Sequence, residues 1–441
     1  MRKVKTFPID SSEKVKRKML RWAQKFEQFS VLESNTLSSS RAGLDKYSRL
    51  DCIVAVGAHS ELIGVGSNDF ASLKSYVDKT GDWLFGYLTY DLKNQLEDLK
   101  SENADFLKFP TLHFFQPEII IELSNEVLKI SYLEDASNTE HIDKVFEEIL
   151  DCKITEEKPP FIEVKSRLAK EDYLQSVNKL KEHISYGDIY EVNFCQEFYS
   201  SNVHVSPLPI YERLNDISKA PFASFYRNGA QYLVSASPER FMKKKGNTLI
   251  SQPIKGTKKR GASADLDSAY KEELAKSKKE RSENVMIVDI VRNDLAKSAV
   301  TGSVEVEDLF GIYTFEQVHQ MISTVKCVCR DDVHPIDAIK AAFPMGSMTG
   351  APKIRAMQLI EEYESTKRGL YSGAVGYITP NKDFDFNVVI RSILYNSEAA
   401  YLSFIVGGAI TDMAEAEAEY DECMVKARAM FDVLNVNEAV H

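Results

Sequence analysis

Lys255 is the residue of this chain whose type and surroundings most clearly suggest covalent chemistry. It lies in the run Ser251–Thr257, where a primary amine stands beside a Gly-Thr pair. The stretch 232–237 has a strand pattern and 249–254 is typical of its hairpin partner, which predicts Lys255 at a strand end. An ammonium becomes a nucleophile if a neighbour or desolvation lowers its pKa, and Glu239, 16 positions earlier, is a candidate neighbour. The alternative is a surface lysine on an edge strand.

This lysine belongs to one of seven segments whose order along the chain is informative. The segments are 235–241, 253–257, 283–295, 345–353, 371–377, 389–392 and 419–428. Together they resemble the chorismate-utilising enzymes, and the resemblance extends from about 165 to 432. One such segment alone would have little specificity, whereas seven in order form a specific signature.

Lysine at position 255 is similar to the aminodeoxychorismate synthase component I group, because anthranilate and isochorismate synthases typically carry alanine there. Ala220-Pro-Phe222 also resembles that group. The resemblance implies a transferase that aminates chorismate at C4 with ammonia, on the route to 4-aminobenzoate and folate. Two alternatives stay open: another chorismate enzyme that forms anthranilate, isochorismate or salicylate, and a non-catalytic subunit that binds tryptophan.

Three residues are expected to carry the chemistry. The resemblance implies that Lys255 adds to C2 of chorismate and that Glu239 is the general acid for the departing C4 hydroxyl. Glu239 must then be protonated, so burial should raise its pKa toward neutrality. His319 matches a histidine that contacts this hydroxyl in relatives, although a lone histidine in an apolar strand is often structural.

The substrate carries two carboxylates, and the resemblance implies a binder for each. A guanidinium holds a carboxylate bidentately, and the enolpyruvyl carboxylate is assigned to Arg391, Tyr371 and Gly408. The ring carboxylate is assigned to the backbone amides of Gly256 and Thr257, since glycine permits close approach. The hydroxyls of Ser347 and Thr349 lie on the turn that follows Met345.

Glu191 departs from the pattern of the relatives. Aminodeoxychorismate synthases often have glutamine at this position, and the water-using isochorismate synthases have lysine. A carboxylate here could accept a proton from ammonia, or it could only shift the pKa of Lys255. We therefore include Glu191 among the substrate-binding residues and leave its role open.

The resemblance also implies Mg²⁺ as a cofactor that binds the ring carboxylate and withdraws electrons from the ring. Mg²⁺ requires oxygen ligands, and Glu283 and Glu422 match the metal ligands of the family. Glu419 lies three residues before Glu422 on the same helical face and could hold a metal-bound water. Without the resemblance, 415–422 would be interpreted as a solvated helix face.

The segment Phe29–Ser34 contains Leu32, Glu33 and Ser34, which resemble a strand that lines a tryptophan pocket in relatives. The match is short. The alternative is a core strand that ends in a polar turn, and bound tryptophan could be structural rather than regulatory.

Composition limits the partners. The chain has 441 residues, a formal charge of -11 and a pI near 5.4, which argues against nucleic acid and anionic membranes. A dianionic substrate therefore needs a locally positive pocket, which Lys255, Lys353 and Arg391 could supply. The six cysteines contain no CxxC pair, and the N-terminus lacks an apolar leader pattern. We expect a reduced, cytoplasmic protein.

The predicted organisation is an N-terminal subdomain over 1–150, a charged linker with a double proline over 151–164, and a chorismate-binding catalytic domain over 165–435. The resemblance implies an α+β fold. Two antiparallel sheets would form a large β-sandwich flanked by helices, with the cleft between the sheets.

The sequence also predicts which partner proteins are needed. It contains no glutaminase nucleophile motif, so ammonia is expected from a separate glutamine amidotransferase subunit. It ends about 13 residues after Arg428, so we expect no fused lyase. Release of 4-aminobenzoate is then assigned to a downstream aminodeoxychorismate lyase.

Overall fold

The computed structural model describes residues 2–35, 47, 51–124, 126–133, 141–155, 157, 161–316 and 318–435. Part of the predicted linker, namely 156 and 158–160, lies outside these residues. Among the helices that the structure describes, none combines the length and apolar character that crossing a bilayer requires.

Strands form the centre of the molecule. They are β1 (Arg2–Pro8), β2 (Gln28–Glu33), β3 (Cys52–Ile63), β4 (Leu84–Leu88), β5 (Leu112–Ser124), β6 (Val127–Leu133), β7 (Lys165–Ser166), β8 (Glu191–Ser201), β9 (Phe222–Asn228), β10 (Gln231–Ser237), β11 (Arg240–Lys245), β12 (Thr248–Gln252), β13 (Ile254–Lys259), β14 (Glu305–Thr314), β15 (Val318–Val328), β16 (Gly350–Ala351), β17 (Ala374–Ile378), β18 (Phe384–Val388), β19 (Ser392–Asn396) and β20 (Tyr401–Ile410).

Helices surround the strands. They are α1 (Ser12–Ala23), α2 (Asp69–Thr80), α3 (His141–Asp151), α4 (Lys170–Tyr186), α5 (Pro207–Ser218), α6 (Ala264–Lys276), α7 (Lys278–Ala296), α8 (Pro335–Ala342), α9 (Lys353–Tyr363) and α10 (Ala416–Val433). Two short 3-10 turns cover Tyr90–Gln95 and Gly346–Met348.

The strands form one antiparallel sheet with two arms. One arm runs β6-β5-β3-β2-β9-β10-β19-β20-β8, and the other runs β3-β5-β4-β17-β18-β11-β12-β15 with β13 and β14 on β15. The long strands β3 and β5 belong to both arms. Their register shifts between Ala58 and Ser60, opposite Pro117, where a bulge and a residue without an N–H bend the pair.

The two arms pack face to face. Tyr226 of β9 meets Tyr87 of β4 and Phe115 of β5 with ring centroids 5.3 and 6.1 Å apart. Aromatic and aliphatic side chains of both arms join one buried cluster. A second cluster lies on the outer side of the first arm, where α1, α4, α5 and α10 cover it.

The predicted α+β class, a large antiparallel β-structure flanked by helices, is confirmed. The two sheets expected from the sequence are the arms of one hydrogen-bonded sheet, because β3 and β5 are long enough to pass through both. The division at 151–164 stays a prediction about organisation. Sheet pairing continues across it, since β2 pairs with β9 and β4 pairs with β17.

Candidate active site

The residues predicted for catalysis and substrate binding come from ends of different elements. Lys255 lies on β13, and Glu191 is the first residue of β8. Glu239 lies in the connection between β10 and β11, and Arg391 lies between β18 and β19. Ser347 lies on the 3-10 turn 346–348. A site of this kind cannot be found from local sequence, because the topology of the two arms brings its parts together.

Lys255 forms a buried ion pair with Glu191. The Lys255 Nζ lies 2.6 Å from Glu191 Oε1, and the two side chains are 11% and 2% exposed. Burial alone would lower the pKa of Lys255, but Glu191, Glu283 and Glu239 together raise it. Lys255 is therefore an ammonium at neutral pH. A neighbour or desolvation that lowers the pKa of Lys255 was one possibility raised by the sequence. The structure shows the opposite shift, because three carboxylates surround the amine.

Glu239 is a buried carboxyl group that titrates near neutral pH. Burial raises its pKa to about 7, against the opposing effects of the Ser347 hydrogen bond and the positive charges of Lys255 and Arg391. Ser347 Oγ donates to Glu239 Oε1 at 2.6 Å. The environment needed for a general acid is thus present, and desolvation is its cause.

The residues assigned to the enolpyruvyl carboxylate lie in different surroundings. Arg391 has φ 50°, and burial lowers its pKa. Tyr371 is buried, with its hydroxyl 3.5 Å from Cys195 Sγ. Gly408 on β20 faces α10, where a Cβ added to it would lie 3.5 Å from Glu419 Oε2 and 3.6 Å from Lys426 Nζ. Their binding roles stay predictions.

The ring-carboxylate residues lie beside Lys255. Gly256 has φ +93°, a conformation that favours glycine, and an added Cβ would lie 2.9 Å from Glu280 Oε2. Thr257 pairs with Gln320 on β15 and is exposed. The Thr349 hydroxyl donates to its own turn, at 3.3 Å to Met345 O and 3.2 Å to Gly346 O. It therefore shapes the turn that carries Ser347.

His319 is held by two neighbours. Its Nδ1 lies 3.0 Å from Thr314 Oγ1, and its Nε2 lies 3.0 Å from Asp267 Oδ1. It is buried and pairs with Lys258 of β13 in register. A contact with the departing hydroxyl would require one of these bonds to open, so its catalytic role stays a prediction.

The three glutamates predicted to bind Mg²⁺ lie on α7 and α10. Glu283 is buried, its Oε1 has no hydrogen-bond partner among the described residues, and burial raises its pKa to about 7. The Lys279 Nζ lies 3.3 Å from Glu419 Oε1 and 4.0 Å from Glu283 Oε1. The Lys426 ammonium, 2.8 Å away, lowers the pKa of Glu422.

These carboxylates fit Mg²⁺ in donor chemistry. All are hard oxygen donors, and the buried Glu283 Oε1 accepts no hydrogen bond among the described residues. As the side chains stand, no group of three or more carboxylate, histidine or cysteine residues is gathered for a metal within the described part of the chain. Lysine ammonium groups neutralise the carboxylates instead.

Sequence reasoning missed a buried guanidinium that supports the site. Arg368 donates to Glu364 Oε1 at 2.6 Å, to Asn193 O at 2.7 Å and to Met348 O at 2.6 Å. It joins β8 to the turn that presents Ser347 to Glu239. Its position three residues before Tyr371, inside a glycine-containing loop, was the signal available in the sequence.

Replacing Arg368 with methionine is expected to destabilise the protein by about 3–5 kcal/mol, because it leaves Glu364 charged, buried and unpaired. Chemical denaturation of both proteins measures the loss. Arg355→Met is the matched control, since Arg355 contacts Asp188 at 3.4 Å near the surface and its loss should cost much less stability. Equal losses in the two variants would contradict the assignment.

Lys353 does not contribute free positive charge to a substrate pocket. Its Nζ donates to Asp294 Oδ2 at 2.6 Å and to Pro344 O at 3.0 Å. It holds the start of α9 against the end of α7. The expectation that Lys353 attracts the substrate is therefore wrong, because a buried aspartate neutralises it.

The residues predicted for a tryptophan pocket lie at a cavity between the two arms. Leu32, Glu33 and Ser34 line it together with Phe222 and Tyr377. The Glu33 carboxylate lies on the opposite side of β2. It accepts hydrogen bonds there from Lys16 at 2.6 Å, Asn215 at 2.9 Å and Tyr211 at 3.2 Å. Tryptophan binding stays a prediction.

Comparison with known proteins identifies the class of this fold and site. Residues 28–432 match the family described as chorismate binding enzyme. The chain belongs to this family.

The names of individual relatives describe a narrower activity than the family description does. Aminodeoxychorismate synthase component 1 of Bacillus subtilis (strain 168) is 33% identical over 366 residues, which are 80% of this chain and 77% of that protein. A probable chloroplastic aminodeoxychorismate synthase of Oryza sativa subsp. japonica is 39% identical over 265 residues, 59% of this chain. This chain spans only 29% of the rice protein's length.

The fold also matches a solved structure. Anthranilate synthase component I from Streptococcus pneumoniae TIGR4 superimposes with a TM-score of 0.77 at 26% identity. The match covers 87% of this chain and 92% of that chain.

Proposed function

We propose that the protein aminates chorismate at C4 to form 4-amino-4-deoxychorismate, with Lys255 as the covalent nucleophile. The observation that carries the proposal is the buried site itself, in which the Lys255 amine faces Glu191, Glu239 and Glu283. Similarity to the aminodeoxychorismate synthases of Bacillus and rice supports the choice within the family.

In the proposed reaction, the Lys255 nitrogen adds to C2 of the ring. The ring double bonds shift, and the C–O bond at C4 breaks. Glu239 donates its proton to the departing hydroxyl, which leaves as water. Hydroxide is a poor leaving group, so a carboxyl whose pKa burial raises to about 7 beside Ser347 suits this step. Ammonia then forms a bond to C4 and the Lys255 nitrogen leaves C2.

Substrate orientation is assigned to the remaining polar groups. The Arg391 guanidinium is the cation proposed for the enolpyruvyl carboxylate. The backbone amides of Gly256 and Thr257 are proposed for the ring carboxylate, which places C2 near Lys255. When bound, Mg²⁺ would withdraw electron density from the ring, and Glu283, Glu419 and Glu422 would hold it.

Mg²⁺ is expected to stabilise the protein against thermal unfolding, by about 2.7 kcal/mol at 100 times its dissociation constant. Glu283→Gln should remove this effect, because Glu283 supplies an unpartnered buried oxygen. Titration calorimetry and thermal unfolding measure both. Asp289→Asn on the same helix is the control, since Asp289 is exposed and pairs with Arg292 at 2.7 Å. Retained Mg²⁺ binding by the Glu283 variant would contradict the assignment of Glu283 as a metal ligand.

The proposed partners follow from the chemistry. Ammonia is the second substrate, and a separate glutamine amidotransferase subunit is the proposed source. An aminodeoxychorismate lyase would convert the product to 4-aminobenzoate. We propose a cytoplasmic location for this pathway.

The test is product identification. The protein is incubated with chorismate, Mg²⁺ and ammonium, with and without an added lyase, and products are identified by mass and absorbance. Lyase-dependent 4-aminobenzoate is the expected result. Formation of 2-aminobenzoate, isochorismate or salicylate would replace the proposal by another family reaction, and a lack of turnover with ammonium would reject ammonia as a sufficient co-substrate.

A further inference from the structure

The Glu191 carboxylate has one engaged and one unengaged oxygen. Oε1 accepts from Lys255 at 2.6 Å, whereas the buried Oε2 has no hydrogen-bond partner in the described part of the chain. A buried acceptor without a donor is costly. It is also a place where a proton can be received without breaking an existing bond.

The backbone holds Glu191 firmly in this position. Glu191 begins β8 and pairs with Ala351 of β16. A Cβ added to Gly350 would lie 2.1 Å from the Glu191 carbonyl oxygen, so only glycine allows this close approach. The side chain is 2% exposed, which keeps bulk water from replacing it as the proton acceptor.

Other charged groups surround the Lys255–Glu191 ion pair without contacting the Lys255 amine. Among the described residues, Glu191 is the one carboxylate with an oxygen within 4.0 Å of Lys255 Nζ. Glu239 and Glu283 act on Lys255 from farther away, and Glu280 and Glu422 also interact with its charge. The proton of Lys255 therefore has one directly bonded carboxylate to which it can move.

The proposed function requires such a movement. The three surrounding carboxylates raise the pKa of Lys255, so the resting side chain is an ammonium without a free electron pair. An ammonium cannot add to C2. A base must remove one proton before the covalent bond forms.

We propose that Glu191 is this base, and that it holds the Lys255 proton for as long as Lys255 is bonded to the ring. The proton first moves from Lys255 Nζ to Glu191, and the neutral amine then bonds to C2 while Glu239 protonates the departing hydroxyl. Ammonia bonds to C4, the C2–N bond breaks, and Lys255 leaves as a neutral amine. Glu191 then returns its proton to Lys255, and Glu239 recovers a proton from the new C4 ammonium.

This inference rests on the proposed function, and it differs from a role in which Glu191 only tunes Lys255. Glu191→Gln removes an attractive negative charge, which should lower the pKa of Lys255 and leave more of it as neutral amine. A purely tuning glutamate would therefore give a variant at least as fast as the wild type at pH 7. A base gives a slower variant, because the proton must leave to solvent.

The experiment compares wild type, Glu191→Gln and Glu191→Asp with chorismate, Mg²⁺ and saturating ammonium between pH 6 and 9. Glu182→Gln, at an exposed position of α4, is the charge-matched control. Competitive acetylation followed by peptide mass spectrometry measures the titration of Lys255 in each protein. Thermal unfolding checks that each variant is folded.

For Glu191→Gln we expect kcat about 100-fold below wild type at pH 7, with a smaller decline above pH 7 than in wild type, because the growing fraction of neutral Lys255 offsets the loss of the Glu239 proton. Glu191→Asp, which keeps a carboxylate at shorter reach, should recover part of the rate. If both variants match wild type at pH 7 while wild type forms the 4-amino product, the inference fails alone. If wild type forms a different product, the proposed function fails and the inference with it.

Discussion

Lys255→Ala is expected to lower the rate of 4-amino-4-deoxychorismate formation by at least about 1,000-fold, because removal of a covalent nucleophile has effects of this size or larger. The variant has no side-chain nitrogen at position 255 that can bond to C2. Direct attack of ammonia at C4 is then the remaining route, and it would have to expel the hydroxyl in a single step. Steady-state assays with a coupled lyase measure the loss.

Two controls separate chemistry from folding in this experiment. Alanine at 255 leaves Glu191 buried without its cation, which can also destabilise the protein. Lys255→Arg keeps a positive charge beside Glu191 but supplies a poor nucleophile, so it should fold and remain inactive. Lys258→Ala on the same strand, where Lys258 pairs with Glu273 at 2.7 Å, should keep full activity. An active arginine variant would refute covalent catalysis by Lys255.

Glu239→Gln has the second largest expected effect. The amide cannot donate a proton to the hydroxyl, and kcat should fall by at least about 100-fold. Because burial raises the pKa of Glu239 to about 7, wild-type activity should decline as the pH rises above 7. Ser347→Ala removes a hydrogen bond that lowers this pKa, so its decline should begin at higher pH. A wild-type profile without this alkaline decline would contradict the assignment.

The same substitution should change the pH dependence of stability. The carboxyl of Glu239 has a pKa of about 7 in the folded protein and 4.5 as its ordinary value, so the folded state binds the proton more tightly. Its contribution to stability is complete below pH 4.5 and is lost as the pH rises through 7, by up to about 3 kcal/mol. Glu239→Gln should remove this part of the decline in the free energy of unfolding, measured by denaturant titration across that range.

Many strands and helices can be predicted from local sequence, but the way in which the two arms join cannot. The strand patterns at 232–237 and 249–254 predict β10 and β12, for example. The joining of both arms through β3 and β5 depends on contacts between distant residues, such as Tyr226 with Tyr87. Local patterns contain no information about such pairs.

In the candidate site, too, some residues could be predicted from sequence motifs, whereas their contacts could not. Lys255, Glu239 and Glu283 were selected from motifs, and the structure brings their charges together. The direct contact of Lys255 with Glu191 spans 64 positions and could not be inferred from spacing. Arg368 was missed because a charged residue in a loop usually indicates solvent exposure, whereas here Glu364 and two backbone carbonyls bury it.

The measurement that tests the central claim most directly is mass spectrometry of the protein incubated with chorismate and Mg²⁺ in the absence of ammonia. We expect the peptide that contains Lys255 to gain the mass of chorismate less one water, and to lose it when ammonium is added and the 4-amino product forms. Product formation without this adduct, or an adduct on a different residue, would contradict the account.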